Sequence, residues 1–169
     1  VICVQAWVIE VQGDQLRKSL MQTAEGQPGP MPAKRAFHLL QAGQARIISG
    51  ITLMVANGST GQTQNKDGEN ADTGVEDSTK TVKIKNILEF EATVHTGDNG
   101  RISVEFRFQQ EFNEASFTKD DNDSKETTID RQLHWASTTY LSPGRPAIAG
   151  VTIANSSAAA LILQADMMD

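Results

Sequence analysis

The stretch VKIKNILEFEATVHTGDNGRISVEFRF, Val82 to Phe108, changes polarity at every second residue on either side of a turn. Val82, Ile84, Leu88, Phe90, Ala92 and Val94 share one parity before the turn, and Ile102, Val104, Phe106 and Phe108 share one after it. The positions between them hold Lys83, Lys85, Glu89, Glu91 and Thr93, then Ser103, Glu105 and Arg107. Successive side chains of a strand point to opposite sides, so the pattern predicts a long amphipathic β-hairpin with one dry and one wet face. Gly97-Asp98-Asn99-Gly100 supplies its turn, because glycine and Asx residues tolerate positive φ. The dry face needs an apolar partner: a second sheet, a helix, neighbouring subunits or lipid.

Working outward, Val1 to Val11 reads as a strand apolar on both faces, which favours a buried position. Gly13 to Pro30 is mostly polar and reads as a loop. Pro32 can open a helix, and Ala33, Ala36, Phe37, Leu39 and Leu40 recur at helical spacing before Gly43 ends it. Ala45 to Ala56 returns to strand character, with Asn57-Gly58 as a tight turn and Gly61 to Lys66 as a short polar continuation. Asp67 to Thr79 is acidic and glycine-containing, and predicts a mobile loop. After the hairpin, the charged segment Thr118 to Thr127 is expected to interrupt the sheet. Ile129 to Leu141 resumes the period of two, Ser142 to Pro146 turns the chain, and Ala147 to Ala154 and Ala158 to Met167 close it as two strands. The order predicts an α+β fold, mainly β, made of antiparallel amphipathic hairpins with one helix packed on the sheet.

The 169 residues suit one domain, 1–169, and 38% hydrophobic residues are enough for a core. The chain opens in mid-strand, so the expectation is a piece of a longer precursor. A formal net charge of -6 argues against a nucleic-acid partner, which calls for a basic stripe matched to phosphates. The single cysteine, Cys3, rules out an intramolecular disulfide and a thiolate zinc cluster, and reads as a small buried hydrophobe. No apolar run reaches the ~20 residues of a transmembrane helix.

Candidate chemistry is sparse. His38, His95 and His134 stand outside any HxH or HExxH spacing and read as ordinary histidines. Asp120 to Ser124 resembles a calcium loop in composition, but it lacks the sixth-position glycine and the terminal glutamate. Ser116 to Lys119 matches SxxK without either companion motif. Trp7 and Trp135 read as core or interface anchors. No catalytic, cofactor or metal residue is assigned, and the chain is not expected to be an enzyme.

Several segments, taken in order, resemble the core domain of the secretins, the ring-forming outer-membrane channels of bacterial type II and type III secretion and type IV pilus systems. Val4 to Val11 is similar to that family's opening strand with its Glu-Val close. Phe37 to Gly43 followed by Ala45-Arg46-Ile47-Ile48-Ser49 is similar to its helix and next strand, and Leu53 to Gly58 to the strand entering an Asn-Gly turn. Leu88 to Val94 with Ile102 to Phe106 resembles its paired strands, and Thr138-Thr139, Pro143 to Pro146 and Ala147 to Gly150 its ending. Ser49-Gly50 stands where the family usually has Ser-Pro, and Ala149-Gly150 where it has a double glycine.

The resemblance implies a homo-oligomeric ring or channel for macromolecular secretion, placed in the outer membrane or periplasm. Its partners would be further copies of the chain and other secretion-system components, and no cofactor would be needed. Val82, Ile84, Leu88, Phe90, Val94, Ile102, Val104, Phe106 and Phe108 would then be barrel-wall or interface positions. The acidic loops carry neither an aromatic belt nor an extended apolar run of the kind a lipid-facing wall needs. The alternative on the residues alone is a soluble β-rich structural or binding module without pore activity.

Overall fold

The computed structural model describes residues 1–21, 32–73, 80–120, 123–153 and 157–169. The elements in chain order are β1 (Ile2–Gln12), α1 (Asp14–Leu20), α2 (Ala33–Gln41), β2 (Ala45–Val55), β3 (Thr60–Thr73), β4 (Lys80–Thr96), β5 (Ile102–Asp120), β6 (Asp123–Leu141), β7 (Ala147–Ile153) and β8 (Ser157–Met167). They build two four-stranded sheets, ordered β2-β1-β8-β7 and β3-β4-β5-β6. Every strand pairing is antiparallel. The fold is thus α+β and mainly β.

The alternation of β1 explains how the layers stack. Ile2, Val4, Ala6 and Val8 point toward the second sheet and join Phe90, Val94, Ile102, Val104, Phe106 and Phe108 in one buried cluster. Ile9 and Val11 point the other way, where Leu20 of α1 and Ala33 and Ala36 of α2 cover them. Trp7 meets Phe37 of α2 edge to face, with ring centroids 6.1 Å apart and planes at 82°. Helices, first sheet and second sheet therefore form three layers. The first sheet is apolar on both sides because both sides are covered.

Helix α2 ends where the sequence places its stop. The Gly43 N–H donates to the Leu40 carbonyl at 3.1 Å and the Gln44 N–H to the Leu39 carbonyl at 2.9 Å. That is the paired bonding of a left-handed C-terminal cap, and Gly43 adopts the required φ of 70°.

Four expectations need correction. The segment from Gly13 begins as helix α1, not loop, since Leu20 reaches the apolar face of the first sheet and Asp14 pairs with Arg17 across one turn. The short polar strand at 61–66 is the first half of β3, which runs on to Thr73 in register with β4, ending at Thr73↔Lys80. Residues 67–73 are therefore strand, and 74–79 lie outside the described residues. Thr118 to Thr127 does not interrupt the sheet: β5 and β6 stay paired out to Asp120↔Asp123, with Asp121 and Asn122 outside the described residues. In both hairpins the pairing strand supplies backbone partners that override weak intrinsic β-preference. Cys3 is half-buried, on the helix-facing side of β1, not in the core.

Candidate functional site: sheet edges and a buried ion cluster

The hairpin that dominates the sequence is β4–β5, in register from Thr96↔Ile102 to Lys85↔Asn113. Leu88, Phe90, Val94, Ile102, Val104, Phe106 and Phe108 are all buried. Phe90 stacks at a tilt on Phe108 with centroids 6.2 Å apart, and Phe108 on Trp135 at 5.8 Å. These wall or interface positions thus lie in the inter-sheet core of a single copy, covered by the chain's own first sheet. The side chains of Val82 and Ile84 lie outside the described residues; their backbone pairs with Ala71 and Glu69 of β3. What the second sheet leaves open is its polar face and its two margins. Among the described residues, β3 pairs with β4 alone and β6 with β5 alone.

The polar face is assembled by register. Thr93 stands opposite Glu105 and Glu91 opposite Arg107 on β4–β5, with Thr138 and Ala136 continuing those two rows on β6. On the other flank Thr60 and Thr93 share a hydrogen bond of 2.6 Å, and Gln64 donates to Glu89. The inner face also turns polar, but only toward the end where β5 and β6 extend. There Gln110, buried to 1% exposure, accepts from Ser49 Oγ at 2.9 Å and donates to Asn86 Oδ1 at 3.1 Å. A three-residue bridge thus links β2, β5 and β4.

Beside it lies the one charged side chain that the described residues bury. Glu10 occupies the inward position after Val8 and is 2% exposed. Its Oε1 accepts from Arg46 Nε at 2.9 Å and Nη2 at 2.8 Å, and its Oε2 is paired with Arg131 Nη1. Arg46 comes from β2 in the same sheet and Arg131 from β6 in the facing one, so a single carboxylate ties the sheets together. A cleft of 230 Å³ opens next to it, lined by Arg131, Gln132, Thr152 and Ser157 with Ile48 and Leu133. A carboxylate held from both sides by guanidinium groups orients them; it offers no free base for chemistry.

His38, His95 and His134 are exposed on α2, β4 and β6, and the structure does not bring them together. Among the described residues no group of histidine, cysteine and carboxylate side chains could hold a metal ion. The calcium-like segment includes Asp121 and Asn122, outside the described residues, and the side chains of Ser116 and Lys119 are outside them too. Trp135 is a core anchor, packed on Gly150, whereas Trp7 is half-buried under α2. No helix among the described residues is long and apolar enough to cross a membrane, a statement that does not bear on crossing by strands. Sequence reading missed the Glu10 cluster. Its signal was a lone acid on the otherwise apolar face Ile2, Val4, Ala6, Val8, a position that demands a partner.

No protein-family model matches the chain, and no curated protein does. Among solved structures it is similar to the Vibrio cholerae type IV competence pilus secretin PilQ, with 7% sequence identity and a TM-score of 0.43. The similarity covers 98% of this chain and 58% of that one, so the chain spans little more than half of that protein's length.

Proposed function

We propose that the chain is a subunit of a secretin-like homo-oligomeric ring that encloses a water-filled passage for macromolecules. The observation that carries this reading is the pair of margins, β3 and β6, that are unpaired among the described residues, on a sheet whose described apolar positions are already covered by the first sheet. An exposed strand edge is a template for another chain. The meander has an even number of strands, so β3 and β6 run in opposite directions; copies related by rotation can then pair β6 to the next β3 antiparallel throughout. Such a contact is heterologous and closes into a ring when the rotation closes. The polar face, with Glu89, Glu91, Glu105 and Arg107, would meet water, and the passage would act by steric exclusion and lining charge without a catalytic group.

Over residues 86–111 neither face of the second sheet suits lipid, because one is covered by the first sheet and the other is charged. The proposed wall is therefore an aqueous one in this stretch, with a periplasmic address and other secretion components as its setting.

The second reading is a soluble β-module that works as a monomer. It is favoured by the inter-sheet core, which satisfies every described apolar wall position within one copy. Cysteines introduced by Gln62→Cys on β3 and Ala136→Cys on β6, in a Cys3→Ser background, separate the two. These positions share one cross-strand row through Glu91 and Arg107. Under oxidation a ring subunit gives a ladder of cross-linked multimers, and electron microscopy shows particles with a central hole. A compact monomer in buffer and in detergent, without cross-links, overturns the ring.

A further inference from the structure

We infer that Glu10 is a positioning residue: by bridging Arg46 and Arg131 it latches the two sheets together at the end where the hairpins run on, and so fixes the direction in which they leave the sandwich.

Three observations converge on this. First, the inner face of the second sheet loses its apolar character row by row. Phe90, Phe108 and Trp135 form one cross-strand row; Leu88, Gln110 and Leu133 form the next; Asn86 and Arg131 stand in the third, on either side of Phe112, whose side chain lies outside the described residues. Apolar burial has no preferred direction, whereas charge-assisted hydrogen bonds fix angle and distance. At the level where the greasy contact ends, the Ser49–Gln110–Asn86 bridge and the Glu10 cluster take over the inter-sheet contact.

Second, the second sheet divides just past this level. Pairing between β4 and β5 stops at Lys85↔Asn113, while β3–β4 continues to Thr73↔Lys80 and β5–β6 to Asp120↔Asp123. Among the described residues, strand pairing beyond the latch runs only within each hairpin. A two-stranded ribbon has little independent stability, so its direction is inherited from the last tie behind it.

Third, a carboxylate at 2% exposure is a poor device for stability alone. Packed apolar side chains would serve as well or better, so what the charged group adds is geometry. Arg131 approaches from the strand that carries the longer hairpin, and Arg46 holds the carboxylate from the neighbouring strand of the first sheet. Within the proposed ring the latch would set the width of the passage, and that consequence rests on the ring reading.

The test measures the distance between spin labels placed by Lys34→Cys on α2 and Ser124→Cys on β6, in a Cys3→Ser background. With Glu10 intact a single narrow distance is expected. Glu10→Gln should abolish that single distance, and Arg131→Met should do the same if Glu10→Gln does not fold. Arg131→Lys, which keeps the charge, should retain it, as should Val104→Ala, which weakens the inter-sheet core in the Val94–Val104–Thr139 row, away from the cluster. A narrow distribution in both charge-removing variants overturns the latch, and so does equal broadening in Val104→Ala. If the wild-type chain forms no ring while Glu10→Gln broadens the distance, the ring reading falls and the latch stands.

Discussion

Glu10 sits where the alternation of its strand asks for another Ile, Val or Ala, and the surrounding charges decide whether that is tolerable. Removing one partner from a buried pair costs about 3–5 kcal/mol when both groups are fully desolvated. Arg46 is 55% exposed and Arg131 27%, so both keep part of their hydration. Glu10→Gln should therefore lower stability by about 2 kcal/mol, read as a shift in the urea midpoint at constant slope. Gly150 makes the opposite kind of demand. It lies at the register shift of β7, and a Cβ there would stand 2.4 Å from Trp135 Cδ1. Gly150→Ala should cost about 1–3 kcal/mol through overpacking, and combining it with Trp135→Phe should recover part of that loss. A simple additive cycle in thermal melts would count against a direct clash.

The elements divide by whether their cause is local. Helix α2 is legible because its apolar stripe, Pro32 and Gly43 are all within a dozen residues of one another. Gly43→Ala forces a side chain into a left-handed φ and should destabilise the helix end by about 1 kcal/mol, visible in thermal melts with the fold unchanged. Strands β1, β4, β5 and β8 are legible from apolar runs or strict alternation. The far half of β3, the start of β6 and helix α1 are not. Their residues are polar and of weak intrinsic preference, and they become regular because a neighbouring strand or the first sheet's apolar face supplies what the local sequence lacks. Glu10 belongs to both groups. Its oddity on an apolar face can be read from β1, but its partners lie on β2 and β6, one of them on the facing sheet.

At the scale of the whole molecule, the described apolar positions of the amphipathic hairpin, from Leu88 to Phe108, find their partner inside the chain. The sandwich removes the strongest reason for self-association and leaves a gentler one, the unpaired margins of β3 and β6. The polar face between those margins carries Glu89, Glu91, Glu105 and Glu111 against Arg107. If that face lines a passage, it favours cations. Glu105→Lys, an exposed substitution, should leave stability within about 0.5 kcal/mol while weakening the retention of a small cationic dye by the assembled ring. Unchanged retention would remove this face from the passage.

Sequence alone determined the period of two, the parity of each apolar set and the capped helix, because each depends on residues adjacent along the chain. Tertiary structure decided which surface covers the hairpin, where Glu10 finds its guanidinium partners and which strand edges stay open. Those depend on contacts between segments far apart in the chain. Alternation says that a face must be covered, and only the packing of the layers says by what.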